Sequence, residues 1–256
     1  MDDWNLEPAR DSGLRMHART ASLHRESGLL QTIGHVAWWA GIRAFLTFYN
    51  RMRVVNAERL PREPPFILIA NHASHIDVFM LGAHVSPRVR DRVFPLAAGD
   101  VFFEDPARAV FATGLLNALP IWRKRRTPEA LRLLRARMVE ERCGYILFPE
   151  GARSRDGKLL PFKSGIGMLV AATDVPVIPC YLEGAFRAMP PGVRIPRPTK
   201  LVLRVGNAQT FADVPNRREG WDVVSQRLRA EVDRLEAIAT SGEENPRECE
   251  ISRVRS

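Results

Sequence analysis

The feature that most constrains this chain is a short unbroken apolar run, Phe66-Ile67-Leu68-Ile69-Ala70, placed directly after the Pro61 to Pro65 punctuation. Consecutive apolar residues leave no polar face, so a strand made of them must be covered on both sides, which is the habit of parallel sheets. Comparable runs recur at Tyr145-Ile146-Leu147-Phe148, from Val175 to Tyr181, and at Leu201-Val202-Leu203-Arg204-Val205. Helical periodicity lies between them. Leu131, Leu134 and Met138 share one face of a helix from Pro128 to Arg142, and an apolar helix runs from Ile166 to Ala172. Trp221, Val224, Leu228, Leu235 and Ile238 mark a late amphipathic helix. Alternating strand and helix predict an α/β fold, a largely parallel central sheet flanked by helices.

At 256 residues and 45% hydrophobic, the chain can bury one substantial core but not two enzymatic domains. The predicted organisation is a polar arm over 1–28, an apolar aromatic helical element over 29–60, the α/β domain over 61–240 and a polar tail over 241–256. From Leu29 to Tyr49 the chain carries Trp38, Trp39, Phe45, Phe48 and Tyr49, interrupted by Gln31, His35 and Arg43 and followed by Arg51 and Arg53. An arginine in mid-segment is costly inside a bilayer, so an N-terminal amphipathic helix lying on the membrane surface is expected in place of a span. The open alternative is a helix packed on the chain's own core.

The net charge of +9 predisposes the chain toward anionic lipid surfaces, nucleic acid or phosphorylated ligands. Cys143, Cys180 and Cys249 are scattered, which predicts neither a disulfide framework nor a metal site and fits a reducing compartment. The opening Met1-Asp2-Asp3-Trp4-Asn5 lacks the order of a secretory signal.

Two short segments carry the chemistry. In Asn71-His72-Ala73-Ser74-His75-Ile76-Asp77, a base is followed five residues later by a carboxylate. On a continuous helix these would point about 140° apart, so they meet only if the helix starts between them. Ser74 to Asp77 has the form of a helix capping box, which puts His72 in the turn after a strand and Asp77 in the first helical turn, able to reach back. That pair permits general-base catalysis, with Asp77 orienting His72. The competing reading makes Asp77 a simple cap and His72 a solvated turn residue. His75, inside the first turn, is expected to face elsewhere, and Asn71 either caps or bonds the base.

In Phe148-Pro149-Glu150-Gly151-Ala152-Arg153-Ser154, Pro149 stops the strand and Gly151 permits a tight turn. Arg153 is a candidate clamp for phosphate or carboxylate, and Glu150 would position that arginine or the substrate hydroxyls. Lys163-Ser164-Gly165 opens an apolar helix whose first backbone amides offer another anion contact. Read blandly, Arg153, Arg155 and Lys158 are a solvated charged turn.

Together these segments resemble the signature blocks of the glycerolipid acyltransferase family, whose best-known members are the 1-acylglycerol-3-phosphate acyltransferases. The resemblance covers Pro65 to Gly184: NHASHID, then Asn117 to Arg123, then FPEGARS with FKSG following, then the Pro-x-x-Pro segment from Val175 to Gly184. It implies that His72 with Asp77 activates an acceptor hydroxyl and that the Glu150, Gly151 and Arg153 turn binds the acceptor phosphate. It further places Asn71, Ser74, Arg123, Ser154 and Lys163 among the substrate-binding residues and lets the fourth block shape the acyl pocket. The implied reaction needs acyl-CoA or acyl carrier protein as co-substrate, a lysophospholipid acceptor and an anionic membrane surface. No cofactor and no metal are implied, and the expected location is peripheral or monotopic on the cytoplasmic face of the cell membrane. The chain departs from the family pattern at Ala152, where a threonine is usual. Ala98 or Gly99 also stands where many members carry a lysine, which predicts weaker use of lysophosphatidate or a less anionic acceptor.

Other chemistries fit worse. G-x-S-x-G is absent, and Gly151 to Lys158 has the wrong spacing for a phosphate-binding loop. The alternative from another class is a basic nonenzymatic protein binding membranes or nucleic acid, supported by Arg123-Lys124-Arg125-Arg126. No nucleic-acid-binding signature accompanies that run, so nucleic acid is the disfavoured partner.

Overall fold

The structure, a computed structural model, describes residues 29–98, 105, 111–121, 128–193 and 195–241. Its elements in chain order are α1 (Leu29–Phe48), β1 (Arg53–Val55), β2 (Phe66–Ala70), α2 (Asp77–Gly82), β3 (Val93–Ala98), β4 (Leu119–Ile121), α3 (Pro128–Glu140), β5 (Gly144–Leu147), α4 (Gly165–Val170), β6 (Val177–Glu183), α5 (Ala185–Ala188), β7 (Val202–Val205) and α6 (Arg218–Ser241). The strands form one sheet in the order β1-β7-β6-β2-β5-β3-β4, parallel throughout except between β6 and β7.

Every residue of β2 is buried, as its unbroken apolar run requires. Strand alternation divides them between two cores. Phe66, Leu68 and Ala70 pack with Trp39 and Leu46 of α1, Met80 and Leu81 of α2, and Ala185 of α5. Ile67 and Ile69 pack with Leu134 and Met138 of α3, Leu169 of α4, and Val224, Leu228 and Val232 of α6. The result is three layers, helix on sheet on helix.

Three strands escape the sequence pattern. β1 and β4 are three residues each, too short to show a period. β3 contains Pro95, which argues against a strand paired on both sides. Its register resolves the conflict: Val93–Pro95 pair with β5 and Leu96–Ala98 with β4, so Pro95 lies where the strand passes from one neighbour to the other. The paired strand β1 also carries the sheet into the span 29–60 that was expected to be separate.

α1 corrects the expectation that the Trp pair lies in a membrane interface. Trp39 is 2% exposed, and its ring lies so close to Gly82 that a Cβ there would clash. Trp38 meets Phe79 and Phe111 edge-on. Burying an indole of this size contributes several kcal/mol, and the sheet's own helical layer offers that burial without lipid. The tryptophans therefore mark the inward stripe of α1, and the opposite stripe, with Ile33, Val36, Ala37, Ala40 and Phe48, is the exposed one. Among the described residues no helix is long and apolar enough to cross a membrane.

Candidate active site

β2 and β5 are parallel neighbours, with Ile69 level with Leu147, so the turns leaving their C-terminal ends lie side by side. The turn after β2 is fixed first by Asn71. Its buried side chain donates from Nδ2 to the Leu182 carbonyl at 3.1 Å and accepts from the Leu182 amide at 2.7 Å, extending the bonding toward β6 past the strand end. The His72 amide donates to Glu150 Oε1 at 2.9 Å, and its carbonyl accepts from the Ser154 amide at 2.8 Å. Both backbone groups of His72 are thus held by the neighbouring turn.

Asp77 opens α2 and reaches back, as its position in the first helical turn predicts. Its Oδ2 accepts from His72 Nδ1, from the Ala73 amide and from the Ser74 amide, each at 2.8 Å. Ser74 does not cap the helix as the capping-box reading expects. Its hydroxyl donates to the Met189 carbonyl at 2.8 Å and accepts from the Ile76 amide at 3.3 Å.

A carboxylate only accepts, so in the neutral imidazole Nδ1 carries the proton and Nε2 the lone pair. Phe148 stacks on the imidazole with centroids 4.1 Å apart and planes 15° apart, fixing the ring's plane. Asp77 is fully buried while the imidazole remains 21% exposed, an arrangement in which a buried carboxylate can orient a base that is open to the cavity.

In the turn after β5, Glu150 is 2% exposed. Its second oxygen accepts from the Leu160 amide at 3.2 Å, so one carboxyl ties the His72 turn to the loop before α4. Burial pushes the Glu150 carboxyl up to about 7, outweighing the two backbone donors that favour its ionised form. Gly151 has a φ of +70°, and the Lys163 side chain occupies the space a Cβ would need. Ser154 is buried, with its hydroxyl donating to Asp156 Oδ1 at 2.9 Å.

A cavity of about 400 Å³ gathers His72, Arg153 and Arg155 with Gly151, Phe148 and Ala97. His75 lines it too, contrary to the expectation that it faces elsewhere. Its imidazole pKa is lowered by burial and by the charge of Arg153. Of the residues singled out in the sequence, His72, Asp77, Gly151 and Arg153 come together here. Asn71, Ser74, Glu150 and Ser154 make hydrogen bonds within the protein that hold the two turns. Lys163 opens onto a second cavity, and Arg123 lies outside the described residues. The stacking role of Phe148 was not read from the sequence, although it directly precedes Pro149 in the block that was recognised.

Residues 51–183, just over half of the chain, match the Acyltransferase family. The chain belongs to the acyltransferase family. It is 28% identical over 151 residues to human 1-acyl-sn-glycerol-3-phosphate acyltransferase beta, covering 59% of this chain and 52% of the relative. It is 30% identical over 156 residues to the chloroplastic 1-acyl-sn-glycerol-3-phosphate acyltransferase BAT2 of Brassica napus, covering 60% of this chain and 43% of the relative. The chain spans about half the length of the curated relatives it matches. Its fold is similar to that of the 1-acyl-sn-glycerophosphate (LPA) acyltransferase PlsC of Thermotoga maritima, with a TM-score of 0.61, 25% identity and 81% of each chain covered. Family membership weighs against the reading of a nonenzymatic basic protein.

A second cavity, of about 590 Å³, shares Ile121, Leu147, Phe148 and Gly151 with the first. It is walled by Leu131 and Leu134 of α3, Ile166 and Leu169 of α4, and Trp221 of α6, with Lys163 among its polar groups. The fourth block does not line it. Val177–Glu183 is the inner strand β6, whose apolar residues enter the two cores. Hydrophobicity alone could not separate a cavity wall from a buried strand.

Proposed function

We propose that this enzyme moves a fatty acyl group from an acyl-CoA or acyl-carrier-protein thioester to the free hydroxyl of a lysophosphatidate-like lysophospholipid, in the manner of a 1-acylglycerol-3-phosphate O-acyltransferase. The observation that carries this reading is the 2.8 Å contact between His72 Nδ1 and Asp77 Oδ2, which leaves Nε2 as an oriented acceptor beside Arg153 in one cavity. His72 Nε2 takes the proton of the acceptor hydroxyl as its oxygen attacks the thioester carbonyl. The tetrahedral intermediate collapses with cleavage of the carbon–sulfur bond, and the imidazolium, held by Asp77, returns the proton to the departing thiolate. No covalent enzyme intermediate is required, because the substrate hydroxyl stands where a hydrolase would use its serine.

The two cavities divide the substrates by chemistry. Arg153 and Arg155 in the smaller cavity suit the acceptor's phosphate, while the larger, mostly apolar cavity suits the acyl chain. The exposed stripe of α1, with Ile33, Val36 and Phe48 between 54% and 82% exposed, supports a peripheral seat on an anionic membrane surface. An assay of purified enzyme in detergent, with acyl thioester and a panel of lysophospholipids, tests the reading. Release of free thiol with formation of diacyl product is expected, and hydrolysis of the thioester without acyl transfer to any lysolipid would overturn it.

A further inference from the structure

Between α5 and β7 the chain makes an extended proline-containing loop whose two anchors lie at different parts of the molecule. At its start the Met189 carbonyl accepts from Ser74, and Pro191 forms part of the wall around His72. Further on, it is held against the C-terminal end of α1. Tyr49 Oη donates to the Pro196 carbonyl at 3.1 Å, and Asn50 Nδ2 donates to the carbonyls of Arg197 and Thr199 at 2.9 and 3.1 Å. The Arg197 amide donates to Ala188 at 2.7 Å and closes the loop on itself. Asn50 is fully buried, so this is a built clamp and not a chance touch between surface groups.

What the clamp holds outward is apolar. Ile195 is 78% exposed and adjoins Pro196, and Phe48, beside Tyr49, is 82% exposed. Along both segments the charge has one sign. No Asp or Glu occurs from 29 to 57 or from 184 to 212, while Arg43, Arg51, Arg53, Arg187, Arg197 and Lys200 are all exposed. Apolar tips on segments whose charged residues are all basic, with no ion pair to these six among the described residues, match an anionic bilayer, where the tips enter the acyl boundary and the cations stay with the headgroups. The patch is also joined through Tyr49 to the exposed apolar stripe of α1, the surface already assigned to the membrane.

We propose that residues 190–193 and 195–200 of this loop form a second membrane-contact element, clamped to α1 by Tyr49 and Asn50, that inserts Ile195 into an anionic bilayer. It thereby brings the Pro191 wall of the His72 cavity to the lipid surface. This rests on the reading that the enzyme works from the membrane surface, and it adds where the cavity mouth sits. Lysolipid would then pass from the bilayer to His72 along the loop without crossing bulk water.

A labelled full-length protein tests this directly. Cys143 and Cys180 are buried, so an Ile195→Cys, Cys249→Ser variant can carry one environment-sensitive fluorophore at position 195. Mixing with vesicles of equal phosphatidylglycerol and phosphatidylcholine should shift its emission to the blue, and pure phosphatidylcholine should do so much less. Ile195→Asp should lower co-sedimentation with the anionic vesicles on the order of tenfold, the loss expected for one buried aliphatic side chain. Its turnover of a water-soluble short-chain acceptor should be unchanged. A label that still reports water while the protein co-sediments overturns the proposal, whether or not the protein transfers acyl groups. A blue shift in a protein that transfers none overturns the acyltransferase reading and leaves the membrane contact standing.

Discussion

In the turn after β2, three donors converge on Asp77 Oδ2 and both backbone groups of His72 are tied to the turn after β5. In the turn after β5, the arginines that reach the same cavity are only half-buried (Arg153) or exposed (Arg155), and neither makes an ion pair among the described residues. On the proposed reading, one half of the site is fixed before substrate arrives, and the other would be completed by substrate. This division has a physical basis. A base works through a geometry set within fractions of an ångström, whereas a phosphate clamp in water loses little by waiting for its anion. Substitutions on the two sides should therefore fail differently, the first in turnover and the second in acceptor affinity.

The largest effect should come from His72→Ala, which removes the proton acceptor. Turnover should fall on the order of 10²–10⁴-fold with the circular dichroism spectrum unchanged, because the side chain is at the cavity wall and not in either core. A folded variant that transfers acyl groups at the parent rate would remove His72 from the mechanism. Asp77→Asn should approach the same loss in kcat, since the neutral amide no longer fixes the imidazole tautomer. It should also cost about 1–3 kcal/mol of stability, because the amides of Ala73 and Ser74 lose their charged acceptor. If the urea midpoint is unchanged, the back-bonding does not hold the turn.

How far the sequence foretold this site depends on the separation of the residues involved. His72 and Asp77 were legible because their partnership is local: a strand, a turn and a helix start set it within six residues. β2 was legible for the same reason. The framework parts of Asn71 and Glu150 were not, since their partners, Leu182 and the His72 amide, are chosen by the order of strands in the sheet. Trp39 shows a different limit. An aromatic stripe beside arginines reads equally as lipid-facing or core-facing, and only the close approach permitted by Gly82 decides it.

Glu150 sharpens the comparison, because it belongs by position to the turn after β5 but acts on the turn after β2. Its folded-state pKa of about 7 lies above the roughly 4.3 of an unfolded glutamate, so the folded protein holds this proton the more tightly. The associated stability is present below about pH 4 and is lost as the pH rises through 7. Glu150→Gln cannot titrate, so the difference in urea midpoint between parent and variant should move in the variant's favour between pH 5 and pH 8. A difference that stays constant over this window would mean the carboxyl is ionised throughout. Loss of activity should accompany the change, since an amide accepts only one of the two amides that Glu150 now joins, those of His72 and Leu160.

The smallest effect should fall on the clamp, and its form matters more than its size. Arg153→Ala should raise the acceptor KM roughly tenfold and leave kcat nearly unchanged, because a charge that meets the phosphate in ground state and transition state alike contributes uniform binding. Arg155→Ala should do less, since its exposed guanidinium is better solvated and better screened. Competition between lysophosphatidate and a zwitterionic lysolipid gives the sharper reading. Leu96 and Ala97 line the cavity just before Ala98 and Gly99, where the family resemblance leads one to expect a lysine, so lysophosphatidate should be favoured only weakly, and Arg153→Ala should erase that preference. A strong preference for lysophosphatidate that survives Arg153→Ala would show that the phosphate is read elsewhere in the cavity. The contrast between a prebuilt base and a substrate-completed clamp would then fail on its second half.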